Sequence, residues 1–128
     1  MRIAALVVLV GCASPDDRTA AWSYVHTTVI RPGCTSAMCH STLGAAGGVD
    51  LSSPSTAYVF LVGRGCDVPP GEPGFPEGNF VAPGRPEASR LMYLLRGEGG
   101  TIMPPDTPLP DAEVELVENW ILEGAPCN

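Results

Sequence analysis

The chain has no lysine: all seven of its positive charges are arginines, set against 14 acids, for a net charge of -7. That balance excludes nucleic acid as a partner, because binding it needs a basic footprint. It suits a basic partner, or simply solubility. No stretch alternates apolar and polar residues over strand length, so no sheet is expected. No internal repeat is present either. The N-terminal apolar run, Ile3 to Val10, is far shorter than the ~20 residues that cross a bilayer. At 128 residues the chain has room for one domain.

What is abundant is proline and glycine, 14 and 15 residues, a content that approaches that of disordered chains. The apolar residues are nevertheless clustered and periodic, which indicates a folded domain.

The first residues have the pattern of a processing segment. Arg2 supplies the positive charge, and Ile3 to Val10 has the length of a signal h-region. Leu9-Val10-Gly11-Cys12 resembles the lipobox of bacterial lipoproteins, which implies cleavage before Cys12 and lipidation of its thiol. An ordinary signal peptide with an incidental Cys is the other reading. Residues 1–11 are therefore expected to be a lipoprotein signal peptide, 12–20 a lipidated polar tether, and 21–128 the folded domain. Several acyl chains on one cysteine anchor a protein stably, and export places the thiols in an oxidising compartment. Ala13 and Ser14 carry no acidic inner-membrane retention signal, so the expected address is the periplasmic face of the outer membrane.

Helical periodicity accounts for most of the domain. Trp22, Val25 and Val29, widened by Tyr24 and Ile30, predict a first helix that Pro32 and Gly33 end. His26 lies on it and is expected to be a solvated or partly buried surface group. Ser53 as N-cap and Pro54 at the first helical position predict a helix to Val62, stopped by Gly63 and Gly65. Cys66 to Val81 reads as an extended loop. A third helix is expected from Pro86 to Leu95, with Ala88, Leu91, Met92 and Leu95 on one face and Arg85 as a weak cap. The last runs from Pro110 or Asp111 to Glu123, with Asp111 and Glu113 favouring its start through the helix dipole. Val114, Val117, Trp120 and Ile121 form its buried face, and Gly124 ends it. Short helices are marginal alone, so such a chain is expected to need a covalent staple or a large apolar ligand.

The chemistry concentrates in Gly33-Cys34-Thr35-Ser36-Ala37-Met38-Cys39-His40. Two thiols followed directly by an imidazole are the pattern of covalent haem attachment, in which the thiols bond the porphyrin vinyls and the His ligates iron. Four residues separate these cysteines where the common motif has two. A small disulfide loop with an incidental His is the plain alternative. A zinc site built on Cys34, Cys39, His40 and a fourth ligand matches no common finger spacing. Met103 stands apart from the other methionines. It follows Gly99-Gly100-Thr101-Ile102 and precedes Pro104-Pro105, outside any helical period, where two fixed φ angles make a stiff arch able to hold a thioether in place.

The order of these features resembles a known family. The helix bearing Trp22, Val25 and Val29 is followed by Cys34…Cys39-His40 and Gly47-Gly48-Val49-Asp50-Leu51. Pro83-Gly84-Arg85-Pro86…Ser89, Met103-Pro104-Pro105 and Trp120-Ile121…Gly124-Ala125 complete it. Together they are similar to the small cytochrome c-like domains of exported bacterial proteins, deltaproteobacterial ones notably, in a Cys-x4-Cys-His form. The family often has an acid where Arg85 stands and a Ser or Thr where Pro110 stands. The resemblance implies an all-α domain of about four short helices around a haem, with the first and last helices crossing. It implies one covalent haem c, thioethers at Cys34 and Cys39, His40 as the proximal iron ligand and Met103 as the distal one. Met38 would be on the wrong side to ligate, and Met92 would serve packing.

On that assignment Cys12 goes to lipid and Cys34 with Cys39 to haem, which leaves Cys66 and Cys127 as a disulfide pair. The rival accounting bridges both remaining pairs. The expected function is a monohaem electron carrier with redox proteins as partners and a lipid anchor in the membrane, not an enzyme. The alternative is a haem-free, disulfide-stapled lipoprotein acting as an interaction module. A haem enzyme with an open iron position would have no evident distal acid–base group other than His26.

Overall fold

The computed structural model describes residues 18–68 and 80–128. The expected signal peptide, Cys12 and its lipidation lie outside them. Among the described residues there are four helices and no strand, so the domain is all-α. No described helix is long and apolar enough to cross a membrane.

The first helix, α1, covers residues 22–34 in three segments: α-helical Trp22–Val25, π-helical His26–Ile30 and α-helical Arg31–Cys34. It therefore runs through Pro32 and Gly33, where the sequence predicted its end. A proline inside a helix lacks an N–H and crowds the carbonyl of the preceding turn. Here the turn before it is widened, with the Arg31 N–H donating to the His26 carbonyl, which makes room for the ring. Trp22, Val25, Val29 and Ile30 are buried as expected, and so is His26, contrary to the surface placement read from the sequence. The spacing explains it: His26 falls four residues after Trp22 and three before Val29, on the inward stripe.

Helix α2 is Pro54–Val62; the Ser53 side chain accepts from the Thr56 N–H, and Gly63 ends the helix at φ 80°. A short 3-10 turn, Pro86–Ala88, precedes α3, Arg90–Arg96. That turn repeats every three residues, which directs Pro86 and Ser89 inward and leaves Ala88 exposed rather than on the buried face predicted for it. The buried Ser89 hydroxyl accepts from the Ala82 N–H and donates to the Arg85 carbonyl. Helix α4 is Asp111–Leu122 and buries Leu116 in addition to the four predicted residues.

The helices α1 and α4 meet through aromatic rings. Trp22 stacks on Trp120 with centroids 4.8 Å apart, and Tyr58 of α2 packs edge-on against Trp22 at 5.5 Å. Each polar atom of this trio has a backbone partner. Trp22 Nε1 donates to the Pro54 carbonyl, Trp120 Nε1 to Pro126, and the Tyr58 hydroxyl to Ala125 at 2.8 Å. Satisfied polar tips let large rings be buried without a desolvation penalty. The N-terminus of α1 has no side-chain cap of its own. Its first amides are met from the other end of the chain, where the Asn128 side-chain oxygen accepts from Trp22 N and its main-chain oxygen accepts from Ser23 N.

A Cys66–Cys127 disulfide, with Cα atoms 5.3 Å apart, ties the loop after α2 to the tail after α4. Arg18 donates to Glu113 and to the Ala112 carbonyl, and Ala20 is buried. The last tether residues thus join the fold ahead of Ala21, where the domain was expected to begin.

Candidate functional site

Cys34 ends α1, and the chain then turns through residues 35–40. The His40 N–H donates back to the Cys34 carbonyl at 3.0 Å, which closes the Cys-His loop on itself. Inside it, Cys39 N–H donates to the Ser36 carbonyl and the Ser36 hydroxyl to Cys39 Sγ. The four intervening residues are thereby taken up in a compact turn. Cys34 and Cys39 carry free thiols, while Cys66 and Cys127 are bridged.

Two glycines permit this arrangement. A Cβ on Gly44 would stand 2.6 Å from the Cys39 carbonyl oxygen and 2.7 Å from that of Ala37, so the returning chain lies directly on the loop backbone. A Cβ on Gly33 would stand 2.9 Å from Leu109 Cδ2. Leu109 belongs to the 101–110 loop that also carries Met103, so the two loops named from the sequence meet beside Cys34. Met103 is half-buried, its N–H donates to the Leu94 carbonyl at 2.8 Å, and its peptide bond to Pro104 is cis.

Behind the loop runs a strut of residues 50–52. Leu51 N–H donates to the His40 carbonyl at 2.8 Å, and the Thr42 hydroxyl pairs with that of Ser52 at 2.9 Å. The Asp50 carboxylate accepts from the Ser52 hydroxyl and amide, which hold it below the usual carboxylate range. The segment Gly47-Gly48-Val49-Asp50-Leu51 stands out in the sequence, but its bonds to His40 and Thr42 do not, because they depend on a turn closing through Gly47 and Gly48.

Burial, and then the neighbouring Cys39, push the Cys34 thiol up to about 11. Cys34 is therefore protonated at neutral pH and is neither a reactive thiolate nor a ready metal ligand. His40 Nδ1 is buried with no hydrogen-bond partner. An orphaned polar atom of this kind costs about 1–3 kcal/mol unless something else completes it. Among the described residues no three His, Cys, Asp or Glu side chains gather around a metal-sized space. A histidine–thioether pair would draw only one donor from that set.

A groove of ≈ 450 Å³ lies between α3, the 101–110 loop and α4. Leu95, Ile102, Leu109 and Val114 supply its apolar lining, with Glu115 and Glu118 beside them. Its volume is in the range of small-molecule and cofactor sites, ~300–1,000 Å³. None of Cys34, Cys39, His40 or Met103 lines it.

No protein-family model matches the chain, and neither the curated proteins nor the solved structures include a match to it.

Proposed function

We propose that this chain is an exported monohaem c-type electron carrier. Cys34 and Cys39 would hold the haem as thioethers, and His40 and Met103 would be its axial ligands. The observation that carries the reading is a contrast among the thiols. One cysteine pair is bridged, while Cys34 and Cys39 are left free next in sequence to His40, whose buried Nδ1 has no hydrogen-bond partner. Bound there, the haem supplies a one-electron couple whose potential is set by its ligands and its burial. Thioether formation would add sulfur and hydrogen of each thiol across a vinyl double bond, which requires that neither Cys34 nor Cys39 be tied up in a disulfide. The 50–52 strut would hold the His40 backbone through the Leu51 N–H, and Met103 would be presented from a loop that Leu109 seats against Gly33. A lipid on Cys12 would keep the carrier at the periplasmic face of a membrane, the outer one by the absence of a retention signal, where redox proteins are its partners.

The test is the pyridine haemochrome spectrum of protein made together with a haem-attachment system. One c-type haem per chain supports the reading. A folded, haem-free product would leave the disulfide-stapled interaction module in its place. The ligand at the second axial position is tested by Met103→Ala, which should lower the potential, since a thioether favours ferrous iron. Cys12→Ser should release the protein from the membrane fraction; unaltered fractionation would remove the lipid anchor.

A further inference from the structure

The buried imidazole of His26 has no place in the electron-transfer reading so far. Its Nε2 lies 3.0 Å from the Leu51 carbonyl oxygen. A carbonyl only accepts, so Nε2 carries the proton and donates. Leu51 is itself 5% exposed, and its N–H donates to the His40 carbonyl at 2.8 Å. The same short strut thus has one face fixed by His26 and the other fixed to His40. The geometry points to His26 as a positioning residue for His40, acting through Leu51; this deepens the proposed function and rests on His40 being an iron ligand.

Three features favour this role over that of an incidental core histidine. His26 is 2% exposed and sits against the Trp22 ring, with centroids 5.5 Å apart, so its own direction is fixed by the best-packed part of the molecule. The π-helical segment begins at His26 and takes its carbonyl, which places the imidazole where the helix is locally widened. The strut is otherwise held by exposed or half-buried groups, Thr42, Asp50 and Ser52. The His26 bond is its buried anchor. A ligating imidazole works only when its ring is held in one orientation, and no side chain or carbonyl meets the buried Nδ1 of His40. Its orientation must then come from the backbone on which it is mounted, and that backbone is held at its N–H by the Cys34 carbonyl and at its own carbonyl by Leu51.

The experiment uses the full disulfide-bonded chain with two substitutions. His26→Gln keeps an N–H donor near the Nε2 position, and His26→Leu fills the space with no donor. Amide hydrogen exchange is followed at Leu51, with Gly63, whose N–H bonds Val59, as an internal reference. In His26→Leu the Leu51 amide should exchange at least about tenfold faster while Gly63 is unchanged, and His26→Gln should restore protection. In haem-loaded protein, His26→Leu should shift the potential and weaken the low-spin ferric spectrum, and His26→Gln should return both. Unchanged Leu51 exchange in His26→Leu overturns the proposal. So does faster exchange with an unaltered potential and spectrum. If His26→Leu fails to fold, His26→Gln decides: a folded Gln variant that loses Leu51 protection contradicts it. Absence of haem in the parent protein would sink the electron-carrier reading instead, and the exchange arm would still report on the strut.

Discussion

The two halves of this domain are held together by different physics. Around Trp22, Tyr58 and Trp120 the contacts are large, apolar and fully satisfied, and the disulfide closes on the same side through Cys127. Around Cys34, Cys39 and His40 the chain is held by backbone hydrogen bonds and close glycine contacts. There the thiols are free, one ring nitrogen is unpartnered, and Met38 and Leu43 stand 86% and 89% exposed. Stability resides in the first region and uncommitted chemistry in the second. The aromatic half is filled by its own side chains and needs no large ligand to complete it.

That division can be broken from either side. Trp120→Ala removes a ring with no exposed surface and leaves Trp22 and Tyr58 facing a void. It should cost about 3–5 kcal/mol and unfold much of the population at ordinary temperature, as read by thermal melting. Removing the disulfide by Cys66→Ser opens a closure with a sequence separation of 61 residues. In the chain-entropy account this should cost about 4 kcal/mol, read by denaturant midpoint against the parent. Gly44→Ala attacks the other half. Its methyl must displace backbone oxygens of Cys39 and Ala37, at about 1–3 kcal/mol. Its haem-attachment yield should fall by more than its melting temperature does. A fall in stability comparable to Trp120→Ala would show that the two halves are one cooperative unit.

The smallest effect concerns pH in the haem-free protein. The Cys34 thiol is raised from 9.0 to about 11, so the folded chain keeps its proton where the unfolded chain has lost it. This contribution is complete below pH 9 and is lost as pH rises toward 11. Alkylation of Cys34 should be slow at pH 7 and accelerate roughly tenfold per pH unit through that window. Cys34→Ser should remove the pH-dependent step, and an unchanged step in that variant would place the titration elsewhere.

Much of the fold was legible because its signals are local. Ser53, Pro54 and Gly63 mark both ends of α2, and the apolar period of α4 places four of its five buried residues. The misreadings come from effects that a helical period alone does not carry. Pro32 reads as a stop, but a π-turn accommodates it. A period of 3.6 points Ala88 inward, yet it sits in a turn of period three. His26 reads as a surface group, but it lies between Trp22 and Val29 on the buried stripe, and its satisfying partner, Leu51, is 25 residues away. At the candidate site the thiols and His40 were evident from spacing. The strut beneath them was not, because its hydrogen bonds join residues whose types alone do not suggest a function.

The most direct measurement is the intact mass of the protein matured alongside a haem-attachment system, combined with a count of free thiols after denaturation. The expected result is a mass greater than the polypeptide by one haem that resists acid-acetone extraction, with no alkylatable thiol at Cys34 or Cys39. A polypeptide mass with both thiols still free, or with Cys34 and Cys39 joined in a disulfide, would contradict it.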